Sequence, residues 1–147
     1  MMRLQIGLWF KIYAVALLIS AFVFGCDSGP KVHWQTFDES ALTTASKSGK
    51  PTLAYFYAAW CGPCRQLRST TFRDPDVIQA LSDWNRLKAD MSFREDKTTI
   101  ARTQTFEVWA LPTLIFYDAQ GKEAAKSRGF MSASKMLEIL NRLNSAR

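Results

Sequence analysis

Two periods of apolar residues alternate along this chain, and together they predict an ordered set of strands and helices. His33 to Phe37 reads as a first, edge strand. Asp38 then caps a helix that runs through about Ser48, with Phe37 and Leu42 placed as a hydrophobic staple and Gly49 as its stop. Pro51-Thr-Leu-Ala-Tyr-Phe-Tyr57 is apolar, β-prone and of strand length, so residues 52–58 are expected as a central strand. Good helix formers follow, Arg65-Gln66-Leu67-Arg68, to about Thr71. Asp74-Pro75 starts a short helix whose Val77, Ile78 and Leu81 share a face. Residues 85–91 form another strand, and Ser92 with Glu95 has capping-box spacing for a helix to about Thr105. Thr113 to Tyr117 is a strong β run. Ala119-Gln120-Gly121 turns it, so residues 123–128 are expected to return antiparallel. Ser132 opens a last helix with Met136, Leu137, Leu140 and Leu143 along one side. Alternating strands and helices closed by a hairpin and a helix predict an α/β fold, a three-layer α/β/α sandwich with a central mixed sheet. No internal repeat or low-complexity tract interrupts it.

The chemistry sits between the central strand and the helix after it, in Trp60-Cys61-Gly62-Pro63-Cys64. Two thiols three residues apart can close a small disulfide ring and open it again. A strand that turns into a helix here places Cys61 at the helix N-terminus, where unpaired N–H groups and the helix dipole favour an anion. A thiolate is that anion, so the pKa of Cys61 is expected below the roughly 8.5 of a free cysteine. Cys64, one turn in, is expected to be more buried and to act as the resolving thiol. Pro63 is tolerated in the first turn because no intrahelical acceptor awaits its missing N–H. A zinc site needs two further ligands, and outside this pair the chain offers only Cys26 and His33. A permanent structural staple is equally disfavoured, because so small a ring constrains little of the unfolded chain.

Trp60-Cys61-Gly62-Pro63-Cys64 resembles the active-site motif of the thioredoxin superfamily. Ala110-Leu111-Pro112-Thr113, about fifty residues later, resembles its cis-proline loop. The resemblance covers roughly residues 33–146. Within the superfamily the chain is most similar to the C-terminal thioredoxin-like domains of DsbD, the thiol:disulfide interchange family. The stretches that carry this are Tyr57-Ala58-Ala59-Trp60-Cys61, Thr71-Phe72-Arg73-Asp74-Pro75-Asp76-Val77, Leu111-Pro112-Thr113-Leu114-Ile115-Phe116 and Gly129-Phe130-Met131. The resemblance implies a thioredoxin fold and a thiol:disulfide oxidoreductase with Cys61 and Cys64 catalytic. Trp60, Gly62, Pro63, Leu111 and a cis Pro112 would support them, with no cofactor and no metal. Trp109, just before the proline loop, is a candidate for the substrate groove. The chain departs from its relatives at two places. They carry an acid six residues before the first cysteine and another seven residues after it, where this chain has Tyr55 and Arg68. Loss of both acids is expected to favour the thiolate and make the couple more oxidising than thioredoxin's roughly −270 mV.

The amino terminus adds a location. After Arg3 and Lys11, Ile12 to Phe24 is thirteen residues without a charge, and Val23-Phe24-Gly25-Cys26 resembles a lipoprotein signal with Cys26 lipidated. Residues 1–25 are therefore read as a signal peptide or an uncleaved membrane anchor, 26–32 as a linker, and 33–147 as the thioredoxin-like domain. Asp27 resembles the signal that retains lipoproteins at the bacterial inner membrane, facing the periplasm. With Arg3 and Lys11 set aside, 17 basic residues stand against 13 acidic ones. That scattered excess has no run of basic and aromatic residues, so nucleic-acid binding is not expected. The implied partners are disulfide-bearing proteins, a membrane electron donor of the DsbD type and the membrane itself. Gly62-Pro63 resembles reductants, so protein-disulfide reduction is the first expectation. A reductase for apocytochrome c thiols, a disulfide-donating oxidase and a CxxC metal-binding module are its rivals.

Overall fold

The computed structural model describes residues 30–146. Its five strands are β1 (Gln35–Thr36), β2 (Thr52–Tyr57), β3 (Asn85–Asp90), β4 (Thr113–Tyr117) and β5 (Glu123–Arg128). The helices are α1 (Glu39–Lys47), α2 (Gly62–Ser69), α3 (Pro75–Ala80), α4 (Lys97–Thr105) and α5 (Ala133–Ser145), with a 3₁₀ turn at Thr71–Arg73. The sheet order is β1-β3-β2-β4-β5. β1 and β2 both run parallel to β3, whereas β4 runs antiparallel to β2 and to β5. The sheet is mixed, as the alternation followed by a hairpin predicts.

Central placement explains why β2 reads as an unbroken apolar run: it is covered on both faces. Its period-two side chains divide between two cores. Leu53 and Tyr55 join Leu114 and Phe116 against Leu67 of α2, Val77 of α3, and Met136 and Leu140 of α5. Ala54 and Phe56 join Ile115 and Tyr117 against Phe37, Ala45 of α1 and Val108. Leu67 is fully buried, which ties α2, and the motif at its start, to the sheet.

Caps set most boundaries. Asp38 accepts from the Ala41 N–H at 2.6 Å, Asp74 from the Asp76 and Val77 N–H groups, and Ser132 from the Lys135 N–H. Three expectations need correction. The edge strand is shorter than residues 33–37, because only Gln35 and Thr36 pair with β3. The helix after the motif ends at Ser69, two residues early, and continues as the 3₁₀ turn. The third concerns α4, which starts at Lys97 with Asp96 as its cap and not at the Ser92–Glu95 box. Asp96 accepts from the Thr98 and Thr99 N–H groups at 2.9 and 3.2 Å, and a carboxylate also meets the positive end of the dipole. Ser92 is occupied elsewhere, beside the active-site turn. The amino-terminal assignments, 1–25 and Cys26, lie outside the described residues. Among the described residues no helix is long and apolar enough to cross a membrane.

Candidate active site

β2 ends at Tyr57 in the middle of the sheet, and the chain turns through Ala58-Ala59-Trp60 into α2. Cys61 is the N-cap of α2, and its Sγ accepts the Cys64 N–H at 3.1 Å. No acidic residue occupies the first turn, so α2 itself places no carboxylate at its positive end. Cys61 and Cys64 form a disulfide with Cα atoms 5.2 Å apart. Cys64 is slightly the more buried, at 2% against 4% exposure for Cys61. Both are therefore enclosed in this oxidised form, packed with Ala58, Tyr57 and Leu111, whereas the chemistry asks for an accessible Cys61.

The Leu111–Pro112 peptide bond is cis, the isomer the resemblance implies. Pro112 is buried and its carbonyl accepts the Gly129 N–H at 2.7 Å, which joins the loop before β4 to the loop after β5. Leu111 packs directly against the cysteine pair. Beside it opens a groove of about 410 Å³, walled by Trp60, Met91, Arg94, Trp109 and Ala110. Trp60 and Trp109 are 48% and 67% exposed, so neither serves the core. Trp34 and Trp84 do: Trp34 rests on Tyr55 and Phe72, and Trp84 donates its indole N–H to Asn144. His33 is exposed.

Tyr55 stands under the pair. Its hydroxyl donates to the Cys64 carbonyl at 3.3 Å, and its ring stacks on Tyr57 at 5.3 Å. Burial pushes its pKa up to about 12, against the pull of the Arg68 guanidinium. Where an acid would lose a proton, this site holds a neutral donor. Tyr57 is also raised, by burial first and then by the Asp90 carboxylate. Arg68 itself is exposed on α2. Among the described residues no three His, Cys, Asp or Glu side chains converge as metal ligands.

Sequence reasoning missed the segment across from the motif. Ser92 accepts the Ala59 N–H through Oγ (2.8 Å) and the Trp60 indole N–H through its carbonyl (3.0 Å). The Arg94 guanidinium lies over the Trp60 ring, 4.3 Å from its centroid. The local signal at Ser92 pointed to a helix cap, whereas the groups that it accepts from, the Ala59 N–H and the Trp60 indole, lie more than thirty residues away.

A family model for the thioredoxin-like domain matches residues 38–144. The chain belongs to the thioredoxin-like domain family. It is 34% identical over 143 residues to the thiol:disulfide interchange protein DsbD of Salmonella paratyphi A, covering 86% of this chain and 25% of that protein. The chain thus spans about a quarter of the length of that relative. Among solved structures, Trxlp from Edwardsiella tarda is 33% identical, with TM-score 0.56, covering 76% of this chain and 98% of that one. The oxidised DsbD C-terminal domain of Neisseria meningitidis shares the fold, with TM-score 0.59 at 21% identity, covering 71% of this chain and 90% of that domain. The thioredoxin-like domain and its Cys61–Cys64 disulfide are those of a thiol:disulfide oxidoreductase.

Proposed function

We propose that this chain reduces disulfides in other proteins on the periplasmic side of the bacterial inner membrane. The observation that carries the proposal is the Cys61–Cys64 disulfide at the start of α2, beside cis Pro112 and an open groove. In the reduced form, the Cys61 thiolate attacks one sulfur of the partner's disulfide, and the other sulfur leaves as a thiolate. Cys64 then loses its proton and attacks Cys61 in the mixed disulfide, which releases the second partner thiol. Two electrons pass to the partner and the chain is left oxidised, as seen here. Trp60 and Leu111 flank the attack, while Gly62 and Pro63 shape the turn. Reducing power outside the cytoplasm must be delivered, so the reading includes a membrane electron donor of the DsbD type; similarity to DsbD supports it. Apocytochrome c thiols are a narrower substrate class within it.

The tether rests on the sequence: an uncharged run from Ile12 to Phe24, then Cys26 as the lipidation site or residues 1–25 as an uncleaved anchor. Residues 26–32 would be the linker and 33–147 the catalytic domain.

Tyr55 in place of an acid favours a second reading, a disulfide-donating oxidase, because a missing buried charge makes the reduced form easier to keep. The equilibrium reduction potential of the Cys61–Cys64 pair separates the two. A value near or below about −250 mV supports the reductase, and a value near −120 to about −180 mV supports the oxidase. A value below thioredoxin's roughly −270 mV would leave the reductase reading in place and refute only the argument from the neutral Tyr55.

A further inference from the structure

Asp90 ends β3 beside the active-site turn without touching the cysteines' exchange chemistry. Its Oδ1 accepts the Ser92 backbone N–H at 2.8 Å and the Ser92 hydroxyl in a short hydrogen bond. With that hydroxyl proton directed at Asp90, the lone pairs of Ser92 Oγ face the Ala59 N–H. The Ser92 carbonyl takes the Trp60 indole N–H, Arg94 covers the ring, and the Met91 N–H donates to the Tyr57 carbonyl at 2.7 Å. The turn that delivers Cys61 is therefore fastened to residues 90–94 at several points. Trp60 is half exposed, so core packing does not hold its indole. These polar contacts do. The same indole is one wall of the groove of about 410 Å³ beside Leu111.

From this we infer that Ser92, oriented by Asp90, is a positioning residue that sets the Trp60 indole and so keeps the groove shaped for a partner polypeptide. The inference rests on the proposed function and specifies how the chain prefers protein disulfides to small ones. A small disulfide needs only the sulfur of Cys61, whereas a polypeptide must also fit against Trp60. Orientation bought in advance in this way lowers the cost of binding.

The test compares the full chain with Ser92→Ala, Ser92→Thr and Asp90→Ala in reducing insulin and the small aromatic disulfide DTNB. In Ser92→Ala, KM for insulin should rise about three- to tenfold, the scale of one or two lost hydrogen bonds, with a clearly smaller loss of kcat/KM on DTNB. Ser92→Thr keeps the hydroxyl and should recover most of the loss. The Trp60 indole N–H resonance, assigned with Trp60→Phe, should move in Ser92→Ala toward that of a free indole. Equal losses on the two substrates, or an unmoved indole resonance, would overturn the inference. So would a Ser92→Thr variant as impaired as Ser92→Ala. If Ser92→Ala does not fold, Asp90→Ala, which removes the carboxylate that orients Ser92 and does not line the groove, must show the same bias toward loss on insulin. A wild-type chain that reduces no protein disulfide sinks the proposed function instead, and the indole resonance still decides whether Ser92 positions Trp60.

Discussion

Replacing Tyr55 by Phe tests whether a neutral phenol really sits beneath the resolving cysteine. Tyr55 is 4% exposed, and burial raises its pKa to about 12, while a free tyrosine titrates near 10. The folded chain thus holds a proton that the unfolded chain gives up between these values. More protons on the native state mean that stability falls as pH rises through the window. The contribution is complete below about pH 10 and is lost progressively to about pH 12. For one site shifted by about two units, roughly 1.4 kcal/mol is gone at pH 11 and about 2.7 kcal/mol above pH 12. Tyr55→Phe removes the titration and also the 3.3 Å bond to the Cys64 carbonyl, which costs about 0.5–1.5 kcal/mol at pH 8. Urea unfolding of the oxidised protein, followed by far-UV circular dichroism at pH 8 and pH 11, reads both effects. Wild type should lead at pH 8, and the gap should shrink by about 1.4 kcal/mol at pH 11, to near zero or a reversal. Tyr117 is also raised to about 12, by burial and then by Glu123, but it titrates in both proteins and cancels. A gap that stays the same at both pH values would refute the reasoning. Burial would then not hold the Tyr55 proton any more tightly in the folded chain than in the unfolded one.

Helix α4 gives a second prediction: Asp96→Ala should cost about 1 kcal/mol of stability in urea unfolding, while Glu95→Ala should stay within about 0.5 kcal/mol. Equal effects would mean that the Ser92–Glu95 box caps the helix after all. Gly121 has φ +78°, and a Cβ there would lie 2.8 Å from Ser46 Cβ, whereas Gly49, at φ +67°, has nothing within 4 Å. Gly121→Ala should therefore lower the melting temperature more than Gly49→Ala, which carries only the left-handed penalty of about 1–2 kcal/mol. Indistinguishable melting temperatures would contradict the close approach of the hairpin turn to α1.

Much of the molecule is written in local patterns. The apolar run through Tyr57 and the one from Thr113 to Tyr117 became β2 and β4, because a strand covered on both faces needs an apolar residue at nearly every position. Asp38, Asp74 and Ser132 cap their helices as read, since an N-cap bond spans only two or three residues. The Cys61–Cys64 pair at a helix start was legible for the same reason. The start of α4 was not, because Ser92 and Asp96 both satisfy the local capping rule and the rule cannot choose between them. The choice was made by Ala59 and Trp60, over thirty residues away, which occupy Ser92.

The sequence by itself determined the pair of thiols at a helix start and the strand and helix order, which follow from periodicity and from residues within one turn of each other, while the family was legible only through the resemblance of motifs about fifty residues apart. Only the tertiary structure decided what surrounds the cysteines. It packed Leu111, which precedes cis Pro112, against the cluster that holds them, set Tyr55 beneath Cys64 and hung Trp60 on Ser92 and Arg94. Those contacts join strands and loops far apart in the chain. Their partners are selected by sheet order and register, which no short stretch of sequence contains.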